Sequence, residues 1–169
     1  KCREWLSCFN GSAGTLVVTS QKAALWTDSR YFVQAEQQLE GTDISLMKIK
    51  MEGTPSITEW LRGELEEGSV VAMDENLFSY QEYVSYIEAL PNIYVSLIKD
   101  PFSEIWEDRP RLEFHPIEPM PVEVAGESVT SKHKRLCELL SPYAPFAYII
   151  SSLDEIAWLC NIRGKDVEY

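Results

Sequence analysis

The segment 27–32 places Asp28, Ser29 and Arg30 directly after a run of apolar and β-branched residues. Asp28 can cap the helix that we predict to start at Arg30, because its side-chain oxygen can accept a backbone N–H. Arg30 is unfavourable there, since the first turn of a helix favours anions. Its guanidinium is a rigid fork of donors suited to a peptide carbonyl or a carboxylate. The triplet is therefore either a cap with a local ion pair or a binding site for such a group.

Four cysteines are spread along the chain without the paired spacing of zinc sites or the density of a disulfide scaffold. They are Cys2, Cys8, Cys137 and Cys160. We interpret them as free thiols in a reducing compartment. The two histidines, His115 and His133, form no metal-binding pair in the sequence, and we expect a structural role for His115.

The segment 10–14, Asn-Gly-Ser-Ala-Gly, has the composition of a phosphate-binding loop but not its context. It contains no lysine, and it precedes a predicted strand, whereas a phosphate-binding loop precedes a helix. Small residues also let two stretches of backbone approach each other closely. We therefore expect a close-packed loop here and no phosphate site.

The composition is that of a globular protein with an acidic surface. Of the 169 residues, 45% are hydrophobic and 25% are charged, and the net charge is -12. This length allows one large domain or two small ones. The negative charge argues against nucleic-acid binding, which needs a concentrated basic surface. No apolar run approaches the roughly 20 residues of a membrane span, so we expect no membrane contact.

Strands and helices are predicted to alternate up to residue 98. Apolar, β-branched runs indicate strands at 14–19, 22–27, 44–49, 70–73 and 93–98. Helical periodicity indicates a helix at 30–39. Capping-box patterns begin two further helices, which run to about residues 66 and 90; the patterns are Ser56 with Glu59 and Ser79 with Glu82. This alternation predicts an α/β sheet with helices packed on it.

The character of the sequence changes after residue 98. Five prolines fall within 99–121 and predict an extended connector, because proline fixes φ and cannot donate to a strand ladder. We expect Trp106 and Arg109 to pin this connector to a domain surface. The elements predicted beyond it are a helix at 131–140, a strand at 146–150 and an amphipathic helix closed by Gly164. They are too few for a self-sufficient domain.

Four segments of the chain carry a family resemblance when they are taken in order. They are FNGSAGTLVVT, WTDSRYFVQAEQQL, IWEDRPRLE and SLDEIAWLCNIRGKDVEY. Together they are similar to the N-terminal region of the Xaa-Pro aminopeptidases (aminopeptidases P), in particular the three-domain, cytosolic type of the creatinase/prolidase metallopeptidase family. One departure is Cys8, where that family usually has glycine, so the turn that enters the first segment is expected to differ in tightness.

The resemblance implies a fold for each part of the chain. Residues 1–98 would form a creatinase/prolidase N-terminal domain, an α/β fold with a ribonuclease-H-like mixed sheet and helices on both faces, whose first strand or helix is missing. Residues 99–121 would be the connector, and 122–169 would begin a second, similar α/β domain that is incomplete. The catalytic domain, with the pita-bread fold, would be absent from this segment.

The resemblance also implies a function for the longer protein. Xaa-Pro aminopeptidases remove the N-terminal residue from peptides with proline in second position, by metal-assisted hydrolysis. Two Mn(II) ions would lie in the absent catalytic domain, so we expect no catalytic residue and no metal ligand in this segment. Its role would be to shape the cleft, contact the catalytic domain and support a homodimer in the cytoplasm. Arg30, in the T-D-x-R-Y-F motif, would contact the peptide substrate.

Two other classes of function remain open from the sequence. One is a partner-binding module, since histone-chaperone subunits carry a catalytically inactive copy of the same architecture. The other is a stand-alone nuclease, because the expected fold is ribonuclease-H-like. A nuclease needs several carboxylates at strand ends and a basic surface. The net charge of -12 and the lack of acidic residues within the predicted strands argue against it.

Overall fold

A computed structural model describes residues 2–111 and 113–166 of the chain. The chain divides into two compact units, Lys1–Arg109 and Pro110–Tyr169. Each unit has its own helices and strands. Within the described residues, no helix combines the length and the apolar character needed to cross a membrane.

The first unit alternates strands and helices, as the sequence predicts. Its strands are β1 (Thr15–Val18), β2 (Ala23–Thr27), β3 (Ile44–Lys48), β4 (Val70–Asp74) and β5 (Tyr94–Ile98). Its helices are α1 (Cys2–Ser7), α2 (Phe32–Leu39), α3 (Ile57–Glu64), α4 (Tyr80–Ala89) and α5 (Phe102–Ile105). A 3-10 helix, Ser29–Tyr31, links β2 to α2. The α/β fold is confirmed, and the sequence did not predict α1.

The strands of the first unit form two small sheets. β1 pairs antiparallel with β2, with Val17 opposite Ala24, and β2 pairs parallel with β3. β4 pairs parallel with β5. The turn between β1 and β2 is held by Thr19, whose hydroxyl accepts the backbone N–H of Lys22 at 3.0 Å. One antiparallel and two parallel pairings give the mixed strand arrangement that the family resemblance implies.

The two faces of β1 pack against different helices. Leu16 packs on a core that contains Phe9, Leu25 and residues of α2. Val17 packs on a second core, which contains Leu61 of α3. Because neighbouring residues of a strand point to opposite faces, the two cores lie on opposite sides of the sheet. Helices therefore cover both faces, as the family resemblance implies.

Helices α3 and α4 begin at the predicted capping boxes. The Ser56 hydroxyl accepts the Glu59 backbone N–H at 3.2 Å, and the Glu59 carboxylate accepts the Ser56 N–H at 2.8 Å. Ser79 and Glu82 make the same reciprocal bonds at 3.3 and 2.8 Å. Hydrogen bonds from the serines lower the pKa of both glutamates, because they favour the ionised carboxylate. Each box gives partners to two backbone N–H groups at a helix start.

The end of the first unit is fastened to its beginning. Trp106 stacks on Trp5 with ring centroids 4.9 Å apart, and the Arg109 guanidinium donates to the Cys2 sulfur at 3.3 Å. We call these four residues the terminal clasp. The prediction that Trp106 and Arg109 pin this segment to a domain surface is confirmed. Residues 102–105, which were expected within an extended connector, form α5.

The second unit contains short helices and a pair of two-residue strands. These elements are β6 (Glu118–Pro119), α6 (Val122–Ala125), α7 (Val129–Leu140), a 3-10 helix (Ser141–Tyr143), α8 (Leu153–Cys160) and β7 (Ile162–Arg163). β6 and β7 pair antiparallel. The predicted helix at 131–140 is confirmed, but it begins earlier, because the Ser128 hydroxyl caps it by accepting the Ser131 N–H at 3.2 Å.

Two predictions for the second unit are wrong. Residues 146–150, predicted as a strand, form none. A strand needs a neighbour that satisfies its backbone groups, and β6 and β7 pair with each other, so 146–150 have no strand partner among the described residues. The last helix ends at Asn161, with φ of 50°, and not at Gly164. Asparagine tolerates this left-handed conformation, so it ends the helix before the glycine is reached.

Cys8 follows helix α1 in a left-handed conformation, with φ of 58°. A side chain is strained in this conformation and glycine is not. We therefore expect Cys8→Gly to raise the free energy of unfolding by about 1 kcal/mol, measured by chemical denaturation. Cys8→Ala removes the sulfur but keeps the Cβ, so it should give no such gain. Equal stabilisation by both variants would contradict the conformational explanation.

Candidate functional site

The segment 8–14, which we call the glycine loop, packs against Tyr31, the last residue of the 3-10 helix. A Cβ built on Gly11 would overlap the ring of Phe9 and lie 2.8 Å from Cδ1 of Tyr31. At Gly14 a Cβ would lie 3.0 Å from a backbone oxygen of β2. Contacts this close require the absence of a side chain. The prediction of a close-packed loop is therefore confirmed.

Side chains from α1 and β2 anchor the glycine loop. The Arg3 guanidinium donates to the carbonyl oxygens of Gly11 and Gly14, the latter at 2.6 Å. The Thr27 hydroxyl donates to the Ala13 carbonyl at 2.7 Å. Burial lowers the pKa of Arg3, because removal from water disfavours the charged form. The carbonyl bonds compensate for part of that loss of hydration.

Helix α2 holds the other side of the glycine loop. The side-chain amides of Gln34 and Gln38 donate to the Asn10 side-chain oxygen at 2.6 and 2.9 Å. The backbone N–H of Asn10 donates to the Gln38 side-chain oxygen at 3.3 Å. Since α2 continues directly from the 3-10 helix, these bonds fix the position of the glycine loop relative to residues 28–31.

Asp28 and Arg30 form a local pair just after β2 ends. Oδ1 of Asp28 accepts the backbone N–H of Arg30 at 3.1 Å, which is the predicted cap. Its carboxylate also accepts Nε and Nη2 of Arg30 at 2.9 and 2.8 Å. The Arg30 side chain is 66% exposed. The side-chain bond lowers the pKa of Asp28 to about 2 and raises that of Arg30, since it favours both charged forms.

Tyr31 connects Arg30 to the glycine loop. Its hydroxyl lies 2.5 Å from the Ser12 hydroxyl, and this hydrogen bond lowers the pKa of Tyr31. Its ring meets Phe9 edge to face, with centroids 6.0 Å apart. The guanidinium carbon of Arg30 lies 5.2 Å from the centre of the Tyr31 ring, within cation–π range. We call Ser12, Asp28, Arg30 and Tyr31 the arginine site.

The arginine site has the chemistry of a binding site. Two of the five guanidinium N–H donors of Arg30 face Asp28. As far as the described residues show, three remain for a peptide carbonyl or a carboxylate. Asp28 is ionised at neutral pH, and its oxygens accept from Arg30, so it is poorly suited as a general base. The predicted cap and local ion pair are confirmed, and a substrate contact by Arg30 stays a prediction.

Sequence reasoning missed Arg3, Ser12 and Tyr31 as parts of this arrangement. The Ser12–Tyr31 bond joins positions 19 residues apart, and no periodicity relates them. The available signal was that the glycine loop and the T-D-x-R-Y-F motif belong to the same family resemblance. Two motifs that are typical of the same family can belong to one site, and the structure places the glycine loop beside the T-D-x-R-Y-F motif.

In the described part of the chain, no group of three or more histidine, cysteine, aspartate or glutamate side chains could hold a metal ion. His115 meets one carboxylate, that of Asp166, with 2.7 Å between Nδ1 and Oδ1, and this bond lowers the pKa of Asp166. Nε2 of His133 lies 3.7 Å from the Cys137 sulfur. A dinuclear metal site does not fit these residues, because each histidine meets a single potential ligand.

The Asp28–Arg30 pair gives a testable pH dependence. Because the pKa of Asp28 falls from 3.8 to about 2, the pair contributes its stabilisation fully above about pH 4 and loses it as the pH falls through 2. We expect a carboxyl NMR titration of Asp28 to show a midpoint near 2. Arg30→Ala should return the midpoint to the usual range, and the control Arg62→Ala should not change it. A midpoint near 4 in the unmodified chain would contradict the pairing.

Comparison with known families gives two matches, which together cover nearly the whole chain. Residues 1–105 and residues 108–169 each match a family described as the creatinase/prolidase N-terminal domain. Each compact unit of the structure therefore contains most of one match.

The chain is also similar in sequence to longer, curated proteins. The chain is 36% identical over 171 residues to Xaa-Pro aminopeptidase ApepP of Drosophila melanogaster, covering 99% of this chain and 28% of that protein. It is 42% identical over 176 residues to Aminopeptidase P2 of Arabidopsis thaliana, covering 99% and 24%. The chain thus spans about a quarter of the length of these curated relatives.

A solved structure extends the similarity to the fold. The crystal structure of X-prolyl aminopeptidase from Caenorhabditis elegans, described as a cytosolic enzyme with a di-nuclear active site, superimposes with a TM-score of 0.83. The two proteins are 36% identical, and the match covers 98% of this chain and 27% of that one. This chain therefore belongs to the creatinase/prolidase N-terminal domain family.

Proposed function

We propose that this chain is the non-catalytic N-terminal part of an Xaa-Pro aminopeptidase. The observation that supports this is the similarity of nearly the whole chain to proteins named Xaa-Pro aminopeptidases, at 36% and 42% identity. The longer protein would remove the N-terminal residue from peptides with proline in second position.

The chemistry of hydrolysis would take place outside this chain. Two Mn(II) ions, bound by a separate catalytic domain, would activate water for attack on the peptide carbonyl. The described residues offer no cluster of metal ligands, so we assign no catalytic step to them. The contributions of this chain would be to shape the cleft, to contact the catalytic domain and to support a homodimer. We expect the protein in the cytoplasm.

Arg30 is the residue that we propose for contact with the peptide. Its side chain is mostly exposed, yet Asp28 and Tyr31 hold it in one place. A guanidinium that is already positioned loses less conformational entropy when it binds a carbonyl or a carboxylate. Asp28 would therefore act as a positioning residue for Arg30.

Peptidase assays on the full-length protein and on this chain test the proposal. We expect the full-length protein to release the first residue of X-Pro peptides, to lose this activity on chelation and to regain it with manganese. This chain alone should show no turnover with or without manganese, because it lacks the ligands.

Two outcomes would contradict the proposal. Manganese-dependent turnover by the isolated chain would place catalysis within these residues. A full-length protein with no turnover in any divalent metal would instead favour a partner-binding module, the alternative raised by the sequence.

A further inference from the structure

A histidine and a cysteine lie one turn apart on helix α7, and we call them the α7 pair. They are His133 and Cys137. The Cys137 sulfur lies 3.7 Å from Nε2 and 3.9 Å from Nδ1 of His133. Side chains four positions apart share one face of a helix. Thiolate sulfur and imidazole nitrogen are both ligands of zinc, so the pair has the donor types and the spacing of a metal chelate.

The separation of the two donor atoms fits one zinc ion. Zinc bonds of about 2.3 Å to sulfur and about 2.1 Å to nitrogen, at a tetrahedral angle, place the donor atoms about 3.6 Å apart. The observed distance from Sγ of Cys137 to Nε2 of His133 is 3.7 Å. The imidazole has to turn about its Cβ–Cγ bond to point a lone pair at the ion, because the sulfur is almost equally far from both nitrogens. This torsion is soft and His133 is exposed, so the turn costs little.

The charges next to the α7 pair are compatible with a bound cation. Nζ of Lys134 lies 3.9 Å from Oε1 of Glu138, and Nη2 of Arg135 lies 2.7 Å from Oε2 of Glu127. Each basic neighbour on the helix is therefore close to a carboxylate that offsets its charge. Cys137 is only half-buried, so its sulfur is accessible to ions from solvent.

Two other contacts of a cysteine or a histidine are less suited to zinc. The Cys2 sulfur accepts a hydrogen bond from the Arg109 guanidinium, whose positive charge repels a metal ion. His115 contacts the carboxylate of Asp166, and this contact lacks the thiolate that favours zinc. The α7 pair is therefore the stronger candidate for a zinc site.

We propose that the α7 pair binds a zinc ion, with water molecules in the remaining coordination positions. The Cys137 thiol releases its proton to solvent on binding, and the thiolate and one neutral imidazole nitrogen each donate an electron pair to the ion. No atom changes its oxidation state. Soft thiolate selects zinc, whereas Mn(II) prefers carboxylate and water oxygens, so this site would be separate from the manganese site of the proposed catalytic domain.

Helix α7 holds both ligands in place before the ion binds. The helix extends over 12 residues, Val129–Leu140, and begins at a capping serine, Ser128. When the ion binds the first ligand, the second is already one turn away, and no loop has to be closed. Two linked ligands bind more tightly than either alone by a factor of about 100 or more. The removal of either side chain should therefore lower the zinc affinity by at least that factor.

Cobalt(II) titration of the reduced full-length protein, in saturating Mn(II), tests this proposal independently of peptidase activity. A thiolate–cobalt bond gives a near-ultraviolet charge-transfer band, which oxygen and nitrogen ligands do not produce. We expect this band to appear with Co(II) and to disappear when Zn(II) displaces it. Cys137→Ser should remove the band, and His133→Gln should raise the cobalt dissociation constant about 100-fold or more. Cys8→Ser and His115→Gln are matched controls and should change neither the band nor the dissociation constant.

Three results would overturn the proposal. The absence of the band, or an equal band in Cys137→Ser, would mean that this thiol binds no metal ion. An unchanged dissociation constant in His133→Gln would mean that the imidazole is not a ligand. A band that Zn(II) does not remove would mean that the site does not accept zinc. Both substituted side chains lie on the surface side of α7, so equal melting temperatures of the metal-free proteins should show that the variants fold.

Discussion

We expect Arg30→Ala in the full-length protein to lower kcat/KM for X-Pro peptides by about 30-fold or more, the scale of a lost charge-assisted hydrogen bond. Folding should change little, because the Arg30–Asp28 pair is exposed to solvent and such pairs contribute little stability. Steady-state kinetics and the melting temperature of the same preparation measure the two effects separately.

Two further variants make the Arg30 experiment specific. Arg30→Lys keeps the charge but not the planar fork of donors, so it should recover only part of the lost kcat/KM. Arg62→Ala removes an arginine from the surface of α3, away from the arginine site, and should leave the kinetics unchanged. Normal kcat/KM together with a clearly lowered melting temperature in Arg30→Ala would make Arg30 structural.

Lys132 is the residue of the second unit whose removal should destabilise it most. This lysine is only 3% exposed, and its Nζ donates to the Trp158 carbonyl and to Oδ1 of Asn161, both at 2.7 Å. It also lies 4.3 Å from the centre of the Trp158 ring. The Asn161 side-chain amide in turn donates to the Glu127 carbonyl at 2.8 Å, which extends the hydrogen-bond network. Lys132 thus ties α7 to the end of α8.

We expect Lys132→Ala to lower the opening free energy of the α8 amides by about 3 kcal/mol, measured by hydrogen exchange. The variant loses buried contacts, and it leaves the Trp158 carbonyl and the Asn161 oxygen without their donor. Lys134→Ala, on the same helix but with a side chain 77% exposed, should stay within about 0.5 kcal/mol. Lys132→Met keeps the volume, so a wild-type value in that variant would assign the stability to packing and not to the hydrogen bonds.

Features that depend on neighbouring residues could be predicted from the sequence. The capping boxes at Ser56 and Ser79 need only a partner three positions along, and the β1–β2 hairpin needs only a tight turn. The Asp28 cap is of the same kind, because it bonds to Arg30 two residues away. In each case the residues that interact are close in sequence, so their types and spacing carry the information.

Features that depend on residues far apart in the chain could not be predicted from the sequence. Lysine is almost never buried, so nothing in the sequence singled out Lys132 from the basic residues around it. The strand predicted at 146–150 is absent for the same reason: a strand forms only where a second strand, distant in the sequence, pairs with it. At the end of α8, Asn161 and Gly164 were both able to close the helix, and the contacts of Asn161 with Lys132 and Glu127 favour the earlier position.

The terminal clasp has a mechanical consequence for the first unit. Cys2 and Arg109 are 107 positions apart in the chain, yet their side chains touch, and the Trp5–Trp106 stack reinforces that contact. Tension applied to the two ends of the first unit therefore reaches the clasp before it reaches the strand ladders. We therefore expect the contacts of the clasp to break first under such tension, while the strand pairings of the first unit keep their register.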